Sequence, residues 1–412
     1  MIAHVVYFET LASINDETSP AWKSTVAGLV VLRLIDDWLD AGAQIVTTDV
    51  TGLRAIRETI AAISEGDPIR SILNGAVDTL EYAETASIRT IAPNLMAYGR
   101  ALHHIGKWAL AKDVFSMILR RAQDAEDTET VVTAALRLGF VTRSMGELAE
   151  AESAYMLAEE SAYASSNVEG QLRARLGIAQ VTIARGNMPK ADELLSAVIS
   201  DAQKHDKGSV LADALHDRAH LSHLRGDYAA AVRYGYAALE WAPDLMVRDR
   251  ILGDLAASFG ELGYLDAARD AHLIVVATAQ ESWLRNLALI NLLEIAIRQN
   301  EELAFHSYRR QLEDIILPPY MQAYYHLYSS QGFRVFGDMT NADRELQRAI
   351  AVADEHKLNQ VQILLDKELE KAEPIKPAVK QEWPDELKTI AAAIGNMRQL
   401  AETATYATGT AF

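Results

Sequence analysis

The chain has 412 residues, half of them hydrophobic and 23% charged, with a formal net charge of −18. This is the composition of a folded chain, and its acidity argues against a general binder of nucleic acid or of anionic lipid, both of which call for a basic face. The absence of cysteine removes disulfides, thiolate metal sites and cysteine nucleophiles, and fits a reducing, cytoplasmic setting. The start, Met1 to Tyr7, has no basic n-region or small-residue cleavage site. The apolar run Val26 to Leu32 has seven residues, against the about 20 that a membrane span needs.

In chain order, residues 1–14 and 20–41 read as two helices joined by Asn15 to Pro20, a cluster of capping and turn residues. They form an N-terminal helical cap over residues 1–48. A repeat region over 49–370 follows, opened by a helix over 51–64. Its mark is a turn that recurs with little drift. Gly106, Gly146, Gly186 and Gly226 are 40 residues apart, and Gly263, Asn300 and Gly337 follow at steps of 37. A step of 40 back from Gly106 lands on Gly66. Eight turns at so steady a period predict an all-α solenoid of about eight helix pairs. Residues 371–384, with Pro374, Pro377 and Pro384, read as a proline-rich linker. A last amphipathic helix over 385–402 and a frayed end complete a C-terminal segment over 385–412. The sequence leaves open whether that helix folds back as a plug.

Each repeat places small residues where helices must approach. Seven before the turn stand Gly99, Gly139, Ala179, Ala219 and Ala256, and five after it stand Ala111, Ala151, Ala191, Ala231, Ala268 and Ala342. Nine after it come Phe115, Tyr155, Leu195 and Leu346. Alternation of small and large lets a ridge of one helix seat on its neighbour. These residues resemble the tetratricopeptide repeat. The best unit runs from Ala219 through Gly226-Asp227-Tyr228, Ala231 and Ala238 to Pro243. The repeat at Gly66 is weak, with Ser71 in place of the alanine. The one at Asn300 is degenerate, with Leu293 and Phe305 at the small sites. The long period looks like that of the bacterial signalling and transcription regulators with this repeat. The resemblance implies a right-handed superhelix whose concave groove binds peptides or helices, and it implies no chemistry and no cofactor.

In that family the first helix of each pair lines the groove, at 13, 10, 6 and 3 residues before the turn. Such spacings put four side chains on one helical face. The sites are Arg100 and His103, then Phe140 and Arg143, Arg173 and Gln180, and the row His216, His220 and His223. Arg250, Glu294, Tyr324, Gln331 and Arg334 follow. For an acidic protein this face is rich in Arg and His, with Asp213 and Glu294 as its carboxylates. It should favour an acidic segment or a free carboxylate.

Three clusters have competing readings. The histidine row can be plain groove lining, a partner contact sensitive to pH, or part of a metal site. Residues seven apart lie about 10 Å apart along a helix axis, so a metal would use only two of the three. Asp36-Asp37-Trp38-Leu39-Asp40 matches a magnesium-binding string of isoprenoid synthases, but no second acidic motif accompanies it. A solvated face is the simpler reading, at a small cost against the helix dipole. Tyr320, Tyr324 and Tyr328 share one helical face and read as core packing or as a partner patch. No P-loop, dinucleotide fingerprint or Gly-x-Ser-x-Gly elbow is found. The expected function is a non-enzymatic adaptor or regulatory subunit with no catalytic residues, no resident metal and a protein or peptide partner. The alternative is a peptide sensor whose superhelix changes shape to control a separate effector.

Overall fold

A computed structural model describes residues 3–41, 50–82, 86–370 and 383–408. The expected linker over 371–384 lies outside these residues except for Trp383 and Pro384, as do the 48/49 boundary and the last four residues of the chain. Among the described residues there are twenty α-helices and no strand. They form two compact units, residues 1–201 and 202–412.

The first unit begins with α1 (Val5–Ser13), α2 (Pro20–Ala41), α3 (Val50–Ala61) and α4 (Pro68–Tyr82). Helix pairs follow: α5 (Ile88–His104) with α6 (Trp108–Asp124), α7 (Thr128–Ser144) with α8 (Leu148–Ala164), and α9 (Val168–Ala184) with α10 (Met188–Lys204), whose end crosses into the second unit. The second unit holds α11 (Gly208–Leu224) with α12 (Tyr228–Leu239) and α13 (Leu245–Glu261) with α14 (Leu265–Thr278). Then come α15 (Ser282–Gln299) with α16 (Glu302–Leu312), α17 (Pro319–Val335) with α18 (Met339–Glu355), α19 (Asn359–Glu370) and α20 (Asp385–Thr408).

The turns explain the period. Gly106, Gly146, Gly186, Gly226, Gly263 and Gly337 all have φ between +76° and +91°, and Asn300 stands at +58°. Each ends a first helix in the left-handed region that glycine enters without penalty. At Gly106 the ending is a Schellman pair: Lys107 N–H donates to Leu102 O at 2.8 Å and Gly106 N–H to His103 O at 3.0 Å. Three residues before the next helix interior, an aspartate often caps it, as Asp227 accepts from Ala230 N–H at 3.0 Å. Gly66 differs. Its φ is not positive, and the turn is closed by Asp67 N–H on Ser64 O at 3.1 Å. The 40-residue step therefore lands there on a turn of another kind. A second periodic set carries no glycine to mark it in the sequence. Glu126, Ser166 and Asp206, again 40 apart, take φ of +53° to +55° where the second helices end.

Packing follows the small and large alternation. A Cβ on Gly99 would come within 2.6 Å of the Phe115 ring, and Tyr155 lies over both Gly139 and Gly177, where added Cβ atoms would meet it at 2.8 and 2.3 Å. The repeat at Asn300 keeps the same logic with the roles exchanged. Phe305 fills a small site, and Gly332 on α17 gives way to it, with 2.2 Å for a Cβ there. In the first unit one apolar core runs from Tyr7 on α1 to Ala154 on α8.

Of the aspartates at the end of α2, Asp37 and Asp40 are exposed, but Asp36 is not part of a solvated face. Asp36 is buried and accepts from Arg121 Nη2 at 2.7 Å and from His4 Nε2 at 3.1 Å. Arg121 also holds Asp40, and His4 Nδ1 donates to Asp113 at 2.5 Å. Burial would lower the His4 pKa, but its two carboxylate partners outweigh that and lift it to about 9. Arg121 on α6 thus offsets the charge at the negative end of α2. Motif reading could not see this, because His4 and Arg121 are far from the aspartates in sequence.

The C-terminal helix α20 packs on α14 and α12, the second helices of their pairs. Leu387, Ile390 and Ile394 join the core of α12 to α15. Arg233 pairs with Glu386 and Arg398 with Asp270, each at 2.7 Å. Within its unit this helix is not a plug over the first-helix face.

Candidate functional site

In the first unit α5 packs on α7 and α7 on α9, so the first helices form one face. Two groups of expected residues meet there. His103 lies 4.8 Å from the Phe140 ring, with Nε2 3.2 Å from Ser144 Oγ. Arg143 lies over the Phe140 ring at 5.4 Å, and its Nε is buried without a hydrogen-bond partner. Burial lowers the His103 pKa, and the charges of Arg137, His104 and Arg143 lower it further. The ring is thus neutral near pH 7.

The second group is centred on Arg137, which the four groove offsets left out. It stands nine residues before Gly146 and is half-buried. Burial disfavours its charge, and the charges of Arg100 and Arg173 disfavour it further. Arg100 is exposed and Arg173 pairs with Glu169 at 3.0 Å. Among the described residues Arg100, Arg137 and Arg143 make no ion pair. Several other cations of this unit are matched, such as Lys112 with Glu147 and Glu150 at 2.7 Å, and Arg185 with Glu152 at 2.7 Å. Gln180 is half-buried on α9.

In the second unit α11 packs on α13, α13 on α15, and α15 on α17. The histidine row of α11 is divided by its neighbour. His216 Nε2 is 2.8 Å from Asp254 Oδ2, His223 Nδ1 is 3.0 Å from Ser258 Oγ, and His220 is exposed. Burial would lower the His216 pKa, yet Asp254, with Asp217 and Asp213 behind it, raises it. Burial pushes the Asp254 carboxyl up, but the three histidines hold it below its usual range. Asp254 is nine before its turn, as Arg137 is. The expectation of a carboxylate-poor face is therefore corrected here, because the residue nine before the turn also reaches the face. Among the described residues no three His, Asp or Glu side chains converge as metal ligands. The row and Asp254 border a cavity of about 170 Å³, next to one of about 390 Å³ floored by Trp283, Leu284 and Leu287. Beside the larger cavity, His272 is buried, which lowers its pKa to about 4.

The remaining expected residues are dispersed. Arg250 turns to Glu281 at 3.4 Å. Tyr324 is half-buried and lies 5.9 Å from Tyr328, against the core of α15 to α18. Tyr328 in turn bonds Glu294. Arg334 and Gln331 are half-buried on α17, both with partners. The tyrosine face is thus mainly packing, with Tyr320 exposed at its end.

No protein-family model matches the sequence, and no curated protein is significantly similar to it. Solved structures are similar in fold. The Rap conjugation gene regulator of the plasmid pLS20, in complex with the Phr* peptide, is 12% identical, with a TM-score of 0.51 over 82% of this chain and 96% of that one. The apo form of the quorum sensor NprR from B. thuringiensis is 14% identical, with a TM-score of 0.48 over 85% and 92%. A Rap protein complexed with competence and sporulation factor is 13% identical, with a TM-score of 0.46 over 82% and 99%. The likeness to the first, together with the turns and the helix packing, shows the fold of this chain: an all-α, tetratricopeptide-like repeat solenoid.

Proposed function

We propose that the chain is a non-enzymatic, cytoplasmic binding protein that holds an acidic peptide, or a helix of a partner protein, on its first-helix faces. The observation that carries this reading is the arginine cluster of the first unit. In a protein of net charge −18, Arg100, Arg137 and Arg143 gather on one face with no carboxylate to match them. Cations left near one another are held for a ligand more readily than for the fold, since their mutual repulsion opposes folding. A peptide carboxylate would take guanidinium groups bidentately, with Phe140 as an apolar contact. The contacts assigned to it are Arg100, His103, Phe140, Arg143, Arg173 and Gln180 in the first unit, and His216, His220, His223, Arg250, Tyr324 and Arg334 in the second. No helix among the described residues is long and apolar enough to cross a membrane.

Fluorescence anisotropy with a labelled glutamate-rich peptide tests the reading. Binding should weaken as salt rises and be lost in the Arg100→Ala/Arg143→Ala variant. Binding unchanged in that variant would move the interface off this face. The likeness to a regulator solved with a peptide supports a second reading, a peptide sensor acting on a separate effector. Compaction on peptide binding in solution scattering would favour the sensor, and an unchanged profile the adaptor.

A further inference from the structure

The arginines of the first unit carry the reading above one step further, to the chemistry of the anion. Consecutive first helices bring fixed offsets together. In the second unit Glu294, six before its turn, bonds Tyr328, nine before the next. Asp254 and Leu287, nine before one turn and thirteen before the next, line one cavity. Arg100, Arg137 and Arg173 occupy these same offsets: six, nine and thirteen before their turns. The geometry thus gathers three guanidinium groups from α5, α7 and α9 around Arg137, consistent with the charge that Arg100 and Arg173 exert on it.

Glu169 pairs with Arg173 at 3.0 Å, while Arg100 and Arg137 make no ion pair among the described residues. Three guanidinium groups gathered at one place call for an anion whose charge and acceptors are concentrated at one place. A phosphomonoester supplies roughly two negative charges near neutral pH and three acceptor oxygens, enough for several guanidinium forks at one place. A carboxylate supplies one charge and two oxygens.

We propose that Arg100, Arg137 and Arg173 form a phosphomonoester site, and that the group it takes is carried on a phosphorylated polypeptide segment. This rests on the anion-binding reading of the same face. The test uses the full chain and four fluorescein-labelled nonapeptides of one Gly/Ala background, with a central serine, phosphoserine, glutamate or glutamate pair. The phosphoserine peptide should bind about tenfold or more tightly than the glutamate pair. Arg137→Met and Arg100→Met should each remove that advantage, with thermal midpoints not below wild type because a like-charge neighbour has gone. Adenosine monophosphate and inorganic phosphate should compete only weakly. Equal affinity for the glutamate pair and phosphoserine would overturn the phosphate inference and leave the acidic-peptide reading standing. Full competition by the free phosphates would overturn the polypeptide source. No binding of any anionic peptide would overturn both.

Discussion

In the first unit the residue nine before the turn of α7 is Arg137; in the second, the same place on α13 is Asp254. Arg137 stands among Arg100, Arg143 and Arg173 and makes no ion pair among the described residues, whereas Asp254 takes the proton-bearing nitrogen of His216 at 2.8 Å. One scaffold thus presents two first-helix faces of different electrical character. The contrast lies in one column of side chains, nine before the turn. The first face stores unmatched charge and suits an anion. The second is nearly self-compensated and suits small adjustments of proton occupancy.

The strongest way to sharpen the contrast is to create unmatched charge where the fold does not tolerate it. Asp36→Ala would strand Arg121 and His4, and should lower stability in urea by about 3–5 kcal/mol, the usual cost of breaking a buried pair. A loss comparable to that of a surface pair would show that the network is not structural.

Acid and base should separate the two units next. His4 has its folded pKa raised to about 9. Its stabilisation is complete below the unfolded value near 6.5 and is lost as pH rises through 9. His272 is depressed to about 4. It is neutral in the fold, so stability falls as pH drops from 6.5 towards 4, where the unfolded chain takes the proton first. Each shift corresponds to roughly 3 kcal/mol over its window. Amide exchange read helix by helix should show α1 and α6 loosening above pH 8 and α14 loosening below pH 5. The same response in both units would break the contrast.

Arg137→Asp gives the first face the carboxylate of the second. Affinity for a glutamate-rich peptide should fall about tenfold or more, with no loss of thermal stability. The smallest effect is expected from Asp254→Asn. The His216 imidazole, followed by NMR, should titrate lower than in the wild type. Stability should change by less than about 1 kcal/mol, because the Asp254 side chain is 57% exposed and solvent screens the pair. An unmoved His216 titration would mean that Asp213 and Asp217 set its charge.

The fold was legible because its punctuation is local. A glycine in the left-handed region announces itself one residue at a time, and Gly99 and Gly139 announce the rings of Phe115 and Tyr155. Glu126, Ser166 and Asp206 take the same backbone shape with side chains that give no warning. Phe305 looked like decay of the pattern because its compensation, Gly332, lies on the next first helix. The site was half legible. Offsets from the turn found Arg100, Arg143 and the histidine row, but the width of the exposed face depends on helix rotation, which hid Arg137 and Asp254. Pairing across long stretches of sequence, as in His4 with Asp36 and Asp113, leaves no periodic trace at all.

The docking of α20 on α12 and α14 has a kinetic consequence. In a repeat array almost every contact is between neighbours in the chain, so folding can start anywhere and spread. The Arg233 and Glu386 pair instead joins residues 153 apart. Closing that loop has an entropic cost that is recovered only when α12 and α14 are already in place. The last helix is thus expected to dock late, and its release would open the second unit before any repeat within it unfolds.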